Sequence, residues 1–199
     1  MMGEGSSEMA GSDAKARIVQ AAFQLFHEAG YNGTSIQDIV NAAGLPKGTF
    51  YNHFKSKELL ALEILKQYSD LIHSTLSADT KVSPLKRLRE HFECIAGDYR
   101  SAKFEKGCMF GNLTAEMAAT SVIRKALLTH SRRWSEDIAT LLEEAVRCKE
   151  LPKATNARQQ AKYLLDFFEG ATLRSKLERS GEPIDTFLSV VFSNILVKR

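Results

Sequence analysis

Cysteine is scarce in this 199-residue chain, and Cys94, Cys108 and Cys148 are odd in number and too scattered for a zinc-ligand pattern or a disulfide framework. Reduced thiols fit them, and no metal is expected. Charge of one sign is lacking too. The formal net charge is only +3, so contact with nucleic acid would have to come from a local basic cluster rather than from a field over the whole molecule. No run of about 18 apolar residues occurs, so no membrane span is expected. The opening Met1 to Ser12 is polar and Gly/Ser-rich, without the basic-then-apolar order of an export signal, and a cytoplasmic location is expected. There is no P-loop, dinucleotide fingerprint, paired-histidine metal motif or serine elbow, so neither an enzyme nor a cofactor is expected. Beyond the opening tract, period-two alternation, internal repeats and low-complexity segments are absent.

What is present is helical periodicity. From Ala14, the residues Ile18, Ala21, Ala22, Leu25, Phe26 and Ala29 form one apolar stripe ended by Gly30, with residues 1–13 expected as a disordered tail. A second, two-turn helix carries Ile36, Ile39, Val40 and Ala43, with Thr34 as its expected N-cap and Gly44 closing it. Pro46 suits the first position of a third helix, where Phe50 and Phe54 are the only apolar pair. Such a short segment must be held by its neighbours. Ser56 caps a long fourth helix through Leu59, Leu62, Leu65, Ile72 and Leu76. Further helices are expected from Pro84, around Phe110 to Ala118, from Val122 to Arg147, from Asn156 to Arg179 and from Pro183 to Val197, with a loop over Arg100 to Gly107. The expected fold class is all-α.

The second and third helices, joined by Gly44-Leu45, have the length and glycine turn of a helix-turn-helix. On the third helix Lys47, Thr49, Tyr51, Asn52 and His53 point outward, Lys55 and Lys57 follow, and no acidic residue occurs from Leu45 through Lys57. Lysine attracts phosphate, Tyr and His hydrogen-bond phosphate oxygens, and Thr or Asn can read base edges. On residue types alone, a solvated basic turn between core helices explains the same pattern equally well.

The order of residues decides between them. Ala22-Phe23, Leu25-Phe26, Gly30-Tyr31, Thr34-Ser35-Ile36, Ala42-Ala43-Gly44 and above all Lys47-Gly48-Thr49-Phe50-Tyr51-Asn52-His53-Phe54-Lys55-Ser56-Lys57-Glu58 resemble the N-terminal signature of TetR-family bacterial transcriptional regulators. The likeness runs almost without gaps over Ala14 to Leu62. It implies a three-helix DNA-binding domain at residues 14–57 and a larger effector-binding and dimerisation domain at 58–199, about nine helices in all. It further implies phosphate contacts from Thr34, Tyr51, His53 and Lys57, and groove contacts from Lys47, Gly48, Thr49 and Asn52. The implied partners are a double-stranded operator, a second copy of the chain and a small-molecule effector. Pro46 departs from the family, which often has Ser or Thr there as helix cap.

Farther along, the resemblance implies that the last two long helices pair with those of a second copy. Phe167, Phe168, Ala171, Phe187, Val191 and Ile195 are the candidate interface residues, since these helices, the first of which also carries Tyr163, Leu173 and Leu177, have more apolar surface than one internal face needs; core packing within a monomer is the alternative. Candidate effector residues are Tyr68, Phe92, Phe104, Phe110, Met117 and Trp134, with His130 or Arg133 as polar anchors; plain core packing explains each of them too. Cys108 lies between Gly107 and Gly111 at an expected helix start, where the helix dipole and Lys106 would favour thiolate. Its segment resembles a TetR branch that senses electrophiles through cysteine; a small buried hydrophobe is the alternative. Two other classes stay open at this level: a Cys108 nucleophile with His130 or His91 as base, and a helical adaptor whose basic turn binds an acidic protein.

Overall fold

The computed structural model describes residues 4–76 and 79–197, with side chains from residue 13 onward. Among the described residues it contains nine α-helices and no strand. They are α1 (Glu4–Ala29), α2 (Ile36–Ala42), α3 (Lys47–His53), α4 (Lys57–Ser74), α5 (Pro84–Ser101), α6 (Met109–Met117), α7 (Ser121–Arg147), α8 (Ala157–Glu178) and α9 (Glu182–Val190). No helix among them is long and apolar enough to cross a membrane.

Three expectations need correction. The first helix begins at Glu4, inside the segment expected as a disordered tail. Once the packed part of a helix has formed, each further residue adds a hydrogen bond without a new nucleation cost, and this outweighs the Gly and Ser content. The N-cap of α2 is Ser35, not Thr34. Its hydroxyl accepts from the Asp38 amide while the Asp38 carboxylate accepts from the Ser35 amide, a reciprocal capping box. The last helix stops being regular at Val190 and continues over Val191–Ile195 as a wider turn, where the Leu196 amide reaches Val191 O at 2.8 Å. Other helix starts agree with the reading: Ser83 with Pro84 opens α5, and Asn156 opens α8, its side chain accepting from the Gln159 amide.

The chain forms two compact units. One runs to Gln67 and also takes in Met109–Leu127; the other comprises Tyr68–Cys108 and the chain from Leu128 onward. The unit changes within α4, immediately before α6, and within α7. In the first, Ile18, Ala22 and Phe26 of α1 bury with Ile39, Val40, Phe50 and Leu60, and α6 packs on α1. In the second, Phe92 of α5, Phe168 of α8 and Phe187 of α9 form a ring cluster with centroids 4.9 to 5.1 Å apart, and Trp134 of α7 stands edge-on to Phe168 at 6.2 Å.

That cluster corrects the interface assignment. Phe168, Ala171, Phe187 and Val191 are buried within their own chain and unavailable to a partner. Phe167 and Ile195 do reach the surface, in company with Tyr163, Leu173 and Leu177, the last two 70% and 81% exposed. Periodicity identifies apolar helices but not which apolar face turns inward.

Candidate nucleic-acid interface

The recognition surface is α3, seven residues long and too short to persist alone. Phe50, fully buried, fixes it to α1 and α2, with the Phe54 ring tilted against it at 5.9 Å and the Lys15 ammonium 5.7 Å above the Phe54 ring. Pro46 occupies the N-cap in extended conformation and offers no side-chain bond, so that helix end is left open. With Phe50 turned inward, Lys47, Gly48, Tyr51 and Asn52 are exposed, while Thr49 and His53 are half-buried. A Cβ added at Gly48 would have no neighbour within 4 Å, so another surface can approach the backbone closely there. Lys55 extends the same basic side.

The turn between α2 and α3 depends on Gly44 at φ +63°. Arg17 of α1 donates to the carbonyls of Ala43 at 2.5 Å and Gly44 at 3.2 Å, satisfying the acceptors left at the end of α2 with a cation that suits the helix dipole. Sequence reading missed Arg17. It lies 26 residues from its partner and carries no local signal.

Two predicted phosphate contacts have other work. Thr34 is buried, and its hydroxyl donates to Gly30 O at 2.8 Å and Leu25 O at 3.3 Å, closing the end of α1. Its side chain is therefore removed from the DNA-facing set. The Lys57 ammonium donates to Tyr31 O at 2.9 Å and Thr34 O at 2.8 Å and sits 4.0 Å over the Tyr31 ring. Desolvation lowers the Lys57 pKa, against the opposing pull of Glu58 and Glu116. Burial and then the Glu58 carboxylate push the Tyr31 hydroxyl up to about 12, so it stays a donor. Glu116 of α6 receives the amides of Tyr31 at 3.1 Å and Asn32 at 2.7 Å. This residue too escaped sequence reading.

The candidate effector residues divide between the units. Phe110 and Met117 are buried on α6, in the unit that holds α3. Cys108, His130 and Trp134 belong to the other, as does Phe104, whose ring lies against Gly181. Cys108 is buried with its sulfur 3.5 Å from the Tyr68 hydroxyl, and burial raises both Tyr68 and Tyr99 well above the usual tyrosine range. Trp134 donates to His91 Nε2 at 2.8 Å. Because indole nitrogen only donates, His91 must carry its proton on Nδ1, which faces Thr75 Oγ1 at 2.6 Å. Burial lowers His91 to about 4, and His130 likewise, there assisted by Arg133. Arg133 itself pairs with Asp70 at 2.6 Å on an exposed face. No group of three or more His, Cys, Asp or Glu able to hold a metal occurs among the described residues.

Residues 18–64 match the family model described as bacterial regulatory proteins, tetR family, and residues 84–191 match that of the tetracyclin repressor-like C-terminal domain. The chain is 34% identical over 192 residues to the HTH-type transcriptional repressor DhaR of Mycobacterium sp. strain GP1, covering 94% of this chain and 95% of that one. It is 31% identical to the transcriptional regulator AcuR of Cereibacter sphaeroides, covering 87% and 81%. The crystal structure of a regulatory protein TetR from Rhodobacter sphaeroides superposes with a TM-score of 0.82 at 30% identity, over 87% of this chain and 94% of that one.

Proposed function

The chain belongs to the TetR family of bacterial transcriptional regulators, and from that premise we propose that it is a dimeric cytoplasmic repressor that binds a near-palindromic operator and leaves it when an effector acts on the C-terminal unit. It is a sequence-specific DNA-binding regulator and not an enzyme. The observation that carries the reading is the α3 surface: buried Phe50 turns Lys47, Thr49, Tyr51 and Asn52 outward on a segment free of acidic residues. Tyr51 and His53 supply phosphate contacts; Lys47, Thr49 and Asn52 reach base edges in the groove, with Gly48 allowing close approach. The Lys57 side chain supports the head from within.

A second copy docks on the exposed apolar face of Tyr163, Phe167, Leu173 and Leu177 with Ile195, a face too apolar for a solvated helix. Two recognition helices then lie about 34 to 36 Å apart, one turn of DNA. The effector-responsive region centres on Cys108, His130 and Trp134, and release comes from a head spacing that no longer fits, so the effector must bind the two states unequally.

Selection of sites from random duplex DNA with the full-length protein tests this. A palindromic winner is expected, bound by a dimer in sedimentation, and released after N-ethylmaleimide treatment in wild type but not in Cys108→Ser. Release in neither protein would make Cys108 a packing residue and the effector a reversibly bound ligand. No enriched sequence would defeat the regulator reading and favour a helical adaptor.

A further inference from the structure

We propose that Glu116 is the positioning residue through which α6 sets the operator affinity of the DNA-binding head. The inference rests on the regulator reading and adds a named residue to it. The turn between α1 and α2 is gripped from two sides by opposite charges. Its amides at Tyr31 and Asn32 donate to the two carboxylate oxygens of Glu116, at 3.1 and 2.7 Å. Its carbonyls at Tyr31 and Thr34 accept from the Lys57 ammonium at the start of α4, at 2.9 and 2.8 Å. Tyr31 is thus held at its N–H from α6 and at its C=O from α4.

The chain makes room for this grip. Gly30 adopts φ +76°, and a Cβ there would stand 2.5 Å from Glu116 Oε1, so the carboxylate occupies space that only glycine leaves. Directly after the turn, Ser35 caps α2, and Arg17 joins the end of α2 to α1. Displacing the turn therefore displaces α2 and, through Gly44, the recognition helix. Helix α6 is suited to cause such a displacement, because the chain enters the head unit immediately after Cys108 and leaves it after Leu127. The nine-residue α6 begins at Met109, the residue after Cys108, and carries Glu116 in its last turn.

Charge alone predicts the opposite of this role. Glu116 is an anion in a DNA-binding unit, and removing an anion strengthens attraction to phosphate. A positioning role requires instead that removal weaken binding to the operator and leave other DNA unaffected or slightly favoured.

The test uses full-length wild type, Glu116→Gln and Glu116→Asp, each titrated against the selected operator and an unrelated duplex of the same length, with thermal unfolding in parallel. Glu116→Gln is expected to lose on the order of tenfold in operator affinity, within the usual span of coupling between sites, with unrelated DNA bound at least as tightly as by wild type. Glu116→Asp, which keeps the charge on a shorter stem, should fall between. Operator affinity within twofold of wild type in both variants, with normal melting, overturns the proposal. Hydrogen exchange in wild type covers the case in which a variant misfolds: the Tyr31 and Asn32 amides should gain protection on operator binding, and equal exchange with and without operator also overturns it. A wild type that enriches no operator would refute the regulator reading itself, a result distinct from either of these.

Discussion

The two units of this chain solve the same problem with different chemistry. In the N-terminal unit, the helices that carry the recognition surface are seven residues long, and on top of their small apolar core long polar side chains bonded to backbone atoms orient them: Arg17 on Ala43 and Gly44, Lys57 on Tyr31 and Thr34, Glu116 on Tyr31 and Asn32. In the C-terminal unit, helices of up to 22 residues in α8 are held by rings: Phe92, Phe168, Phe187 and Trp134. Directional charge-assisted bonds set orientation, whereas ring packing supplies bulk stability with little directional demand. A DNA reader needs the first and a responsive domain tolerates the second.

The largest effect that separates them is truncation of a ring. Phe168→Ala should destabilise the C-terminal unit by about 4 kcal/mol, through lost burial and a cavity among four aromatic partners. Chemical denaturation should show it, and equal loss of structure at Phe50 in the same titration would mean that the units unfold as one.

Acid comes next and acts on the same unit. His91 is buried and neutral among Thr75, Phe92 and Trp134, none of them charged, with its pKa lowered to about 4. An unfolded histidine titrates near 6.5, so between those values the unfolded chain binds the extra proton and stability falls as pH drops. Below about 4 the loss is complete, and it amounts to at most about 3 kcal/mol. The lowered His130 adds a similar slope in the same window. Unfolding free energies of wild type and His91→Gln from pH 7 to 4 should show the slope reduced by about half in the variant; an unchanged slope would place the titration elsewhere.

Lys57→Ala probes the head at smaller scale. Two charge-assisted bonds to carbonyls and a ring contact are lost, worth about 2 kcal/mol together. Binding to the operator should weaken more than binding to unrelated DNA, while the salt slope stays near that of wild type. A slope smaller by about one would instead put the ammonium on a phosphate.

That contrast between a brace and a contact marks how far the sequence could be read. The helix-turn-helix was visible from Lys47 to Glu58 because its geometry is local: Gly44 in the turn, Phe50 inward, polar residues outward. Helix boundaries were likewise local, and the Ser35 and Asp38 capping box was present in the sequence but overlooked in favour of Thr34. Arg17 and Glu116 could not be found, since their partners are backbone atoms 26 and 85 residues away and a carbonyl or amide has no residue identity. Phe167 and Phe168 illustrate the other limit. Adjacent, alike and on one helix, both meet Phe187 of α9, but Phe168 is also enclosed by Phe92 and Trp134, whereas Phe167 stays 37% exposed.

The smallest effect is the one on which sequence reading depends most. Asn52 is exposed on α3 beyond the anchoring Phe50 and next to Tyr51, itself 54% exposed. An amide there offers a donor and an acceptor together, the pair that matches N6 and N7 of adenine in the major groove. Asn52→Ala should therefore leave folding and the salt slope alone, because no charge and no buried group is lost, and reduce discrimination at one operator position by about 1 to 2 kcal/mol. Competition titrations with single-base operator variants measure this directly. Relaxed preference at one base pair makes Asn52 a base reader, whereas a uniform loss across all variants makes it a backbone contact and shifts sequence reading to Lys47 and Thr49.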